Sequence, residues 1–226
     1  MSVDKTKVLA IIPARGGSRG IPGKNLKKLA GKPLLVYSIE QAKAVPAIDR
    51  VVVSSDDDAV LEVAQTHGAQ AIKRPSEFSG DTAKMDGAIL HALTVLAEEG
   101  YRPDLVVLLQ PTSPLRRVQT IARAIHEFSA SGERFDSLMP LAETSSKVGT
   151  IAEKQFRPQY AAGAQRQELP VLYYDCGTVY LFKPTLLATG KFFGERIYAF
   201  PVSWPESLDI DTRSDFELAE YFLMKK

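Results

Sequence analysis

Short, wholly apolar runs alternate with longer stretches of helical spacing along nearly the whole chain, and this alternation limits the available folds more than any other feature. "KVLAIIPA" stops at Arg15-Gly16-Gly17, as a buried strand running into a loop should. "PLLVYSIEQAKAV" has helical spacing, with Pro33 where a first helical turn tolerates it. "DRVVVSSDD" then reads as a strand, "DDAVLEVAQTHG" as a helix ending on a glycine, and "AQAIKRP" as a strand. "TAKMDGAILHALTVLAEEG" predicts a helix, and "PDLVVLLQP", apolar on both faces, predicts a central strand. "VQTIARAIHEFSASG" and "DSLMPLAE" add a helix and a strand. Such a sequence predicts an α/β fold around a doubly wound, parallel sheet with right-handed crossovers. Ligands bind such sheets at the carboxyl ends of the strands, and the loop after the first run, Asp56–Asp58 and Gln110 all fall at such ends.

From about Glu143 to Leu169 the pattern breaks into a polar, aperiodic stretch, which predicts an excursion from the sheet such as a hairpin arm. "VLYYDCGTVYLF" reads as one returning strand, "RIYAFPV" as a later one, and "RSDFELAEYFLMKK" as the last helix. With 226 residues and no linker-like tract, residues 1–226 are expected to form one domain carrying an arm at about 143–170. The near-balance of 28 basic and 27 acidic residues argues against a chain built to hold nucleic acid. A lone cysteine, Cys176, allows no intrachain disulfide and fits a reducing compartment. The apolar run near the N-terminus is too short for a signal peptide or a membrane span, so a cytoplasmic protein that does not engage membranes is expected.

The loop "AIIPARGGSRGIPGKN" gathers Arg15, Arg19, Lys24 and four glycines behind a strand. It is not a Walker A motif, because Ser18 and Asn25 stand where Gly and Ser/Thr are required, and no frame matches the dinucleotide fingerprint. Glycines still allow backbone N–H groups to converge on an anion, with the basic side chains adding charge from the sides. The alternative is a solvated surface loop.

These residues resemble the signature of the CMP-sialic acid synthetases, the acylneuraminate cytidylyltransferases. "KRPSEFSGDTA", "LLQPTSPLR", "QRQELP" with "GTVYLF", and "ESLDIDTRSD" match that family in the same order, so the resemblance spans about residues 8 to 222. It implies a Rossmann-like three-layer sandwich of the nucleotide-diphospho-sugar transferase type, with a mostly parallel sheet and a small dimerisation excursion. It also implies a nucleotidyltransferase that joins CTP to a nine-carbon acidic sugar, uses Mg²⁺ and works as a homodimer.

The resemblance further implies a role for each matching residue. Arg15, Gly16, Ser18, Lys24 and Asn25 would wrap the triphosphate, with Lys24, Arg15 and Asp211 serving transfer. Asp209 and Asp211 would hold Mg²⁺, and two residues at i and i+2 of an extended chain do face one side. Asp211 or Thr212 could instead cap the final helix, with Asp215 completing a capping box. Arg74 and the backbone near Ala83 would meet the base. Gln110, Lys147, Arg166, Tyr180, Phe192 and Phe193 would form the sugar pocket, although the aromatics could equally be core and Gln110 a turn-stabilising amide.

The chain departs from the family pattern at three places. Cys176-Gly177-Thr178 stands where Asn-Gly-Ala is usual, Tyr174 replaces a basic residue, and Lys84-Met85 replaces small polar residues. These changes put ribose and base contacts in doubt and suggest an acceptor other than ordinary sialic acid. Cys176 has no histidine near it in sequence, which argues against a thiol nucleophile. Asp56–Asp58 reads better as a helix N-terminus than as metal ligands. A KDO cytidylyltransferase is the nearest enzymatic rival, but it carries a "QGDEP"-like stretch where this chain has "QPTSP". A nucleotide-binding protein without catalysis is the rival of another class.

Overall fold

The first apolar run is the strand around which the other elements are laid. A computed structural model describes residues 6–17, 20–78, 85–161 and 163–225. The run forms β1 (Val8–Pro13), followed by a small ribbon of β2 (Lys28–Leu29) and β3 (Lys32–Pro33) and then by α1 (Leu34–Lys43). Next come β4 (Arg50–Ser55), α2 (Asp58–Thr66), β5 (Gln70–Lys73), α3 (Met85–Glu98) and β6 (Leu105–Leu108). They are followed by α4 (Val118–Ala130), β7 (Ser137–Thr144), and the arm strands β8 (Gly149–Ala152) and β9 (Gln155–Pro158). The chain closes with β10 (Leu172–Asp175), β11 (Tyr180–Phe182), β12 (Ile197–Pro201) and α5 (Arg213–Met224).

Eight of these strands make the main sheet, in the order β10-β7-β11-β6-β1-β4-β5, with β12 alongside β7. β6, β1, β4 and β5 run parallel to one another, while β11 lies antiparallel between β6 and β7. Alternation along β1 sets up the two faces. Val8, Ala10 and Ile12 enter one apolar cluster with Leu35, Ile39 and Val60, while Leu9 and Ile11 enter another with Ile89 and Leu96. Helices therefore cover both faces, giving the expected three-layer α/β/α arrangement. A third cluster, built from Ile21, Leu29, Leu34, Ile210 and Phe216, fastens the loop after β1 to the start of α5.

One expected element divides. "VLYYDCGTVYLF" is two strands, β10 and β11, broken at Gly177, whose φ of +72° no strand residue adopts. Both halves are rich in β-branched and aromatic residues, so propensity alone fused them. β10 and β11 also pair antiparallel to β7, which makes this half of the sheet mixed. The polar stretch after β7 folds out as the antiparallel β8–β9 hairpin. Among the described residues, no helix is long and apolar enough to cross a membrane.

Candidate active site

The loop after β1 is held from below by the end of β4. Ala14 N–H donates to the Ser54 carbonyl at 3.0 Å, and Gly16 N–H donates to Asp56 Oδ1 at 3.1 Å. A Cβ at Gly16 would lie 2.6 Å from Asp57 Oδ2, so only glycine lets the loop settle there. Asn25 Nδ2 donates to the Arg15 carbonyl at 2.8 Å and ties the two ends of the loop together. Asp57 caps α2 through the Ala59 and Val60 N–H groups, as expected for a helix N-terminus, and Lys73 bonds Asp58. Asp56 has the further task, invisible in the sequence, of bonding the loop.

Arg74 is buried at the end of β5 with its guanidinium 3.5 Å from Asp56. Burial pulls its pKa down, Asp56 opposes that, and nearby Arg15 adds to it. Its Nε, also buried, has no partner among the described residues. Ser18 and Ala83 lie outside the described residues, as do Arg19 and Lys84.

Lys24 crosses the cleft. Its buried Nζ donates to the Ile210 carbonyl at 2.5 Å and stands 3.7 Å from Asp211 Oδ1. The segment it reaches is anchored by Ile210, whose side chain is buried in the third cluster and whose N–H donates to the Thr112 carbonyl at 2.9 Å. Asp209 and Asp211 flank this anchor. Asp211 is exposed, whereas Asp209 is sunk deeper and its Oδ1 is buried with no partner. Burial raises the Asp209 pKa, with Asp211 adding to the rise while the Thr112 hydroxyl and Lys24 oppose it. An orphaned buried carboxylate oxygen beside an exposed second carboxylate suits a hard cation, since a magnesium site typically takes one or two carboxylates plus phosphate and water. Among the described residues no group of three or more His, Cys, Asp or Glu could hold a metal, so Asp56–Asp58 offers no rival site. The capping box of Thr212 and Asp215 also exists, but it uses those two side chains and leaves the Asp211 carboxylate free for other work.

On the other wall, a Cβ at Gly177 would stand 3.1 Å from Gln110 Oε1 and 3.7 Å from Asp209 Cγ. Gln110 therefore joins the same cleft. Asp175 shapes this turn, since its Oδ1 accepts from Gly177 N–H at 3.2 Å and from the Tyr180 hydroxyl at 2.8 Å. Tyr180 packs edge-on to Phe193 and Phe192, and those two rings are 4.3 Å apart between centroids. Tyr180 belongs to the second apolar cluster and Phe192 and Phe193 pack against it, so all three serve as core. Burial and the bond to Asp175 push the Tyr180 hydroxyl far above its ordinary pKa, which rules it out as a proton carrier near neutrality.

Lys147 and Arg166 do not join this cleft. Lys147 Nζ donates to the Ala164 carbonyl at 2.7 Å and lies over the Tyr160 ring, and Arg166 bonds the Ser145 hydroxyl. Both line a cavity of about 470 Å³ within the arm. Cys176 turns away too. It is buried among Ala142, Val179 and Leu181, with its Sγ 3.3 Å from Thr178 Oγ1, so it offers nothing to a ribose. Burial raises its thiol pKa, against nucleophilic use.

The most consequential residue that sequence reading passed over is Arg116, the last residue of "LLQPTSPLR". It is only 2% exposed, and its guanidinium bonds the carbonyls of Gln110 and Thr178 along with Gln41 and Ser38. Burial lowers its pKa to about 9, with Asp209 and Glu206 resisting the fall.

The chain as a whole is similar to known proteins. The family model described as "Cytidylyltransferase" matches residues 9–225. An N-acylneuraminate cytidylyltransferase of Escherichia coli O18:K1:H7 is 32% identical over 98% of this chain, which spans only 53% of that relative. Thus the chain covers about half the length of some curated relatives it matches. A pseudaminic acid cytidylyltransferase of Campylobacter jejuni is 33% identical over 95% of both chains. The structure of a CMP:2-keto-3-deoxy-manno-octonic acid synthetase complexed with CTP superposes with a TM-score of 0.73 over 97% of this chain and 99% of its own, at 19% identity, a likeness of fold. With a basic glycine loop, a carboxylate pair and a glutamine turn meeting at one sheet edge, and with the family model matching from β1 through α5, this chain belongs to the cytidylyltransferase family.

Proposed function

We propose that this protein activates a nine-carbon acidic sugar of the sialic, legionaminic or pseudaminic type with CTP, releasing the CMP-sugar and pyrophosphate. One observation carries the reading: Lys24 of the glycine loop lies 2.5 Å from the Ile210 carbonyl and 3.7 Å from Asp211, so phosphate cradle and carboxylate pair share one cleft. In this reading the loop N–H groups, Arg15 and Lys24 bind the triphosphate, with Arg74 near the base. Asp209 and Asp211 would hold Mg²⁺, which when bound would supply neutralisation of phosphate charge. The anomeric hydroxyl attacks the α-phosphorus in line and pyrophosphate leaves, with Lys24 offsetting the charge that develops. Gln110 and the Tyr180–Phe192–Phe193 wall orient the acceptor.

The chain is read as one domain with a dimerisation arm at about 143–170. Lys147 and Arg166 then serve the acceptor carboxylate of the partner subunit's site, which accounts for their distance from the cleft of their own chain. Support comes from apolar side chains left exposed on the arm and on β10, among them Ile151 at 77%, Phe156 at 53% and Tyr173 at 53%. A cytoplasmic setting suits a CTP-consuming enzyme with a single buried thiol.

The test is pyrophosphate release by purified protein with CTP, Mg²⁺ and a panel of these acids, the eight-carbon KDO included. Release with a nine-carbon acid is expected, and binding of CTP with no release from any acid overturns the reading. Asp209→Asn separates an enzyme from a binding protein. It should abolish turnover while leaving the melting temperature equal or higher, because it removes a charge that burial disfavours and whose Oδ1 has no partner.

A further inference from the structure

We propose that Arg116 is the positioning residue of the acceptor half of the site, fixing Gln110 and the Gly177 turn at the separation the sugar needs. The inference rests on the cytidylyl-transfer reading and adds to it a residue that touches neither substrate.

The guanidinium has no carboxylate in contact. Its Nη2 donates to the Gln110 carbonyl at 2.7 Å and its Nε to the Thr178 carbonyl, so one planar group spans the ends of two different strands, β6 and β11. Its Nη1 reaches Gln41 Oε1 at 3.2 Å and Ser38 Oγ at 3.4 Å, both on α1. Gln41 in turn donates to the carbonyls of Pro114 and Arg116, at 2.8 and 2.7 Å, clamping the loop that carries Gln110. Thr178 continues the chain of contacts to the Glu206 carbonyl at 3.2 Å, beside the segment that bears Asp209.

A core arginine whose hydrogen bonds go to neutral oxygens, with Asp209 and Glu206 only partly offsetting the cost of burial, is an expensive way to fill space. What the fork supplies is direction. Its acceptors lie on three elements around one plane, a geometry that a lysine ammonium cannot reproduce. Two of them are backbone carbonyls, one belonging to Gln110 and the other to the residue after Gly177, whose Cβ position is 3.1 Å from Gln110 Oε1. Among the described residues, none of the hydrogen bonds of Arg116 reaches the glycine loop or Lys24. A fault at Arg116 that keeps the positive charge facing Asp209, as lysine does, should therefore be felt first by the sugar.

The experiment uses the full chain and compares wild type, Arg116→Lys and Ser38→Ala. Initial rates are measured with the acceptor varied, and the Kd of CTP is measured by titration calorimetry without acceptor. Arg116→Lys should raise the acceptor KM about tenfold with the CTP Kd within about twofold of wild type. Ser38→Ala removes one support of the Gln110 carbonyl, at 3.3 Å, without stranding a charge, and should raise the acceptor KM about threefold. If Arg116→Lys fails to fold, Ser38→Ala decides the matter alone. An unchanged acceptor KM, or sugar and CTP affinities falling together, overturns the proposal. A wild-type protein that turns over no acid overturns the transfer reading and this inference with it, a result that the wild-type arm alone reveals.

Discussion

Gly20→Ala gives the sharpest probe of how closely the glycine loop approaches the carboxylate pair. A Cβ at this position would stand 2.2 Å from the Asp211 carbonyl oxygen, a backbone atom that cannot swing aside, whereas ordinary contact begins at 3.4 Å. The loop must then withdraw from Asp211 by about 1 Å, carrying with it the groups proposed to bind the phosphates, and a misplacement of that size costs on the order of 100-fold in rate. That loss corresponds to about 2.7 kcal/mol of transition-state stabilisation. The clash also strains the folded protein, so thermal stability should fall by about 1–3 kcal/mol even though Gly20 is exposed. Gly17→Ala is the natural companion: its methyl meets no protein atom within 4 Å, so any effect there reports on bound nucleotide alone. Pyrophosphate release at saturating acceptor, together with thermal melts, measures both variants. A Gly20→Ala protein with turnover within threefold of wild type would refute the argument that the loop must touch the Asp211 backbone.

Other outcomes follow from the same geometry. Thr212→Ala removes an N-cap worth about 1 kcal/mol, which lowers Tm by about 2–4 °C in a chain of this size. For Asp215, burial acts to raise the pKa, but hydrogen bonds from Thr212 and the Asp211 N–H outweigh it and the net shift is downward. Its contribution is therefore complete above the ordinary carboxylate range and lost as pH falls through its lowered value, so the melting gap between Thr212→Ala and wild type should narrow in strong acid. Cys176 should resist a thiol reagent until the protein is denatured, and Cys176→Asn, which buries an amide among apolar side chains, should cost about 2 kcal/mol in denaturant melts. Paired Ile151→Asp and Phe156→Asp changes should convert a dimer to a folded monomer in sedimentation, with turnover lost; an unaltered dimer would remove the role given to the arm.

Much of this was legible before any coordinates. The path from β1 into the glycine loop follows from the local pattern, while the pairing of Lys24 with the 209–211 segment is an implication of the family resemblance. What escaped was information carried across long separations. Asp56 supports Gly16 from 40 positions away, and Arg116 becomes a buried hub only because Ser38 and Gln41, more than 70 positions earlier, face it from α1. In a sequence, an arginine closing a proline-rich loop reads as solvated. The break at Gly177 escaped for a different reason: a single glycine between two β-prone runs is too weak a signal to mark a reversal.

Ile210 joins the carboxylate pair to the architecture of the whole domain. Its side chain is locked in the third apolar cluster, its N–H holds Thr112 and its carbonyl receives Lys24, so the residues on either side of it inherit the rigidity of the interior. The Gly177 wall, by contrast, hangs on one turn and one buried guanidinium. A substitution in the 209–211 segment must therefore be absorbed by the packed interior, whereas one at the Gly177 turn falls first on the hydrogen bonds of Asp175 and Arg116.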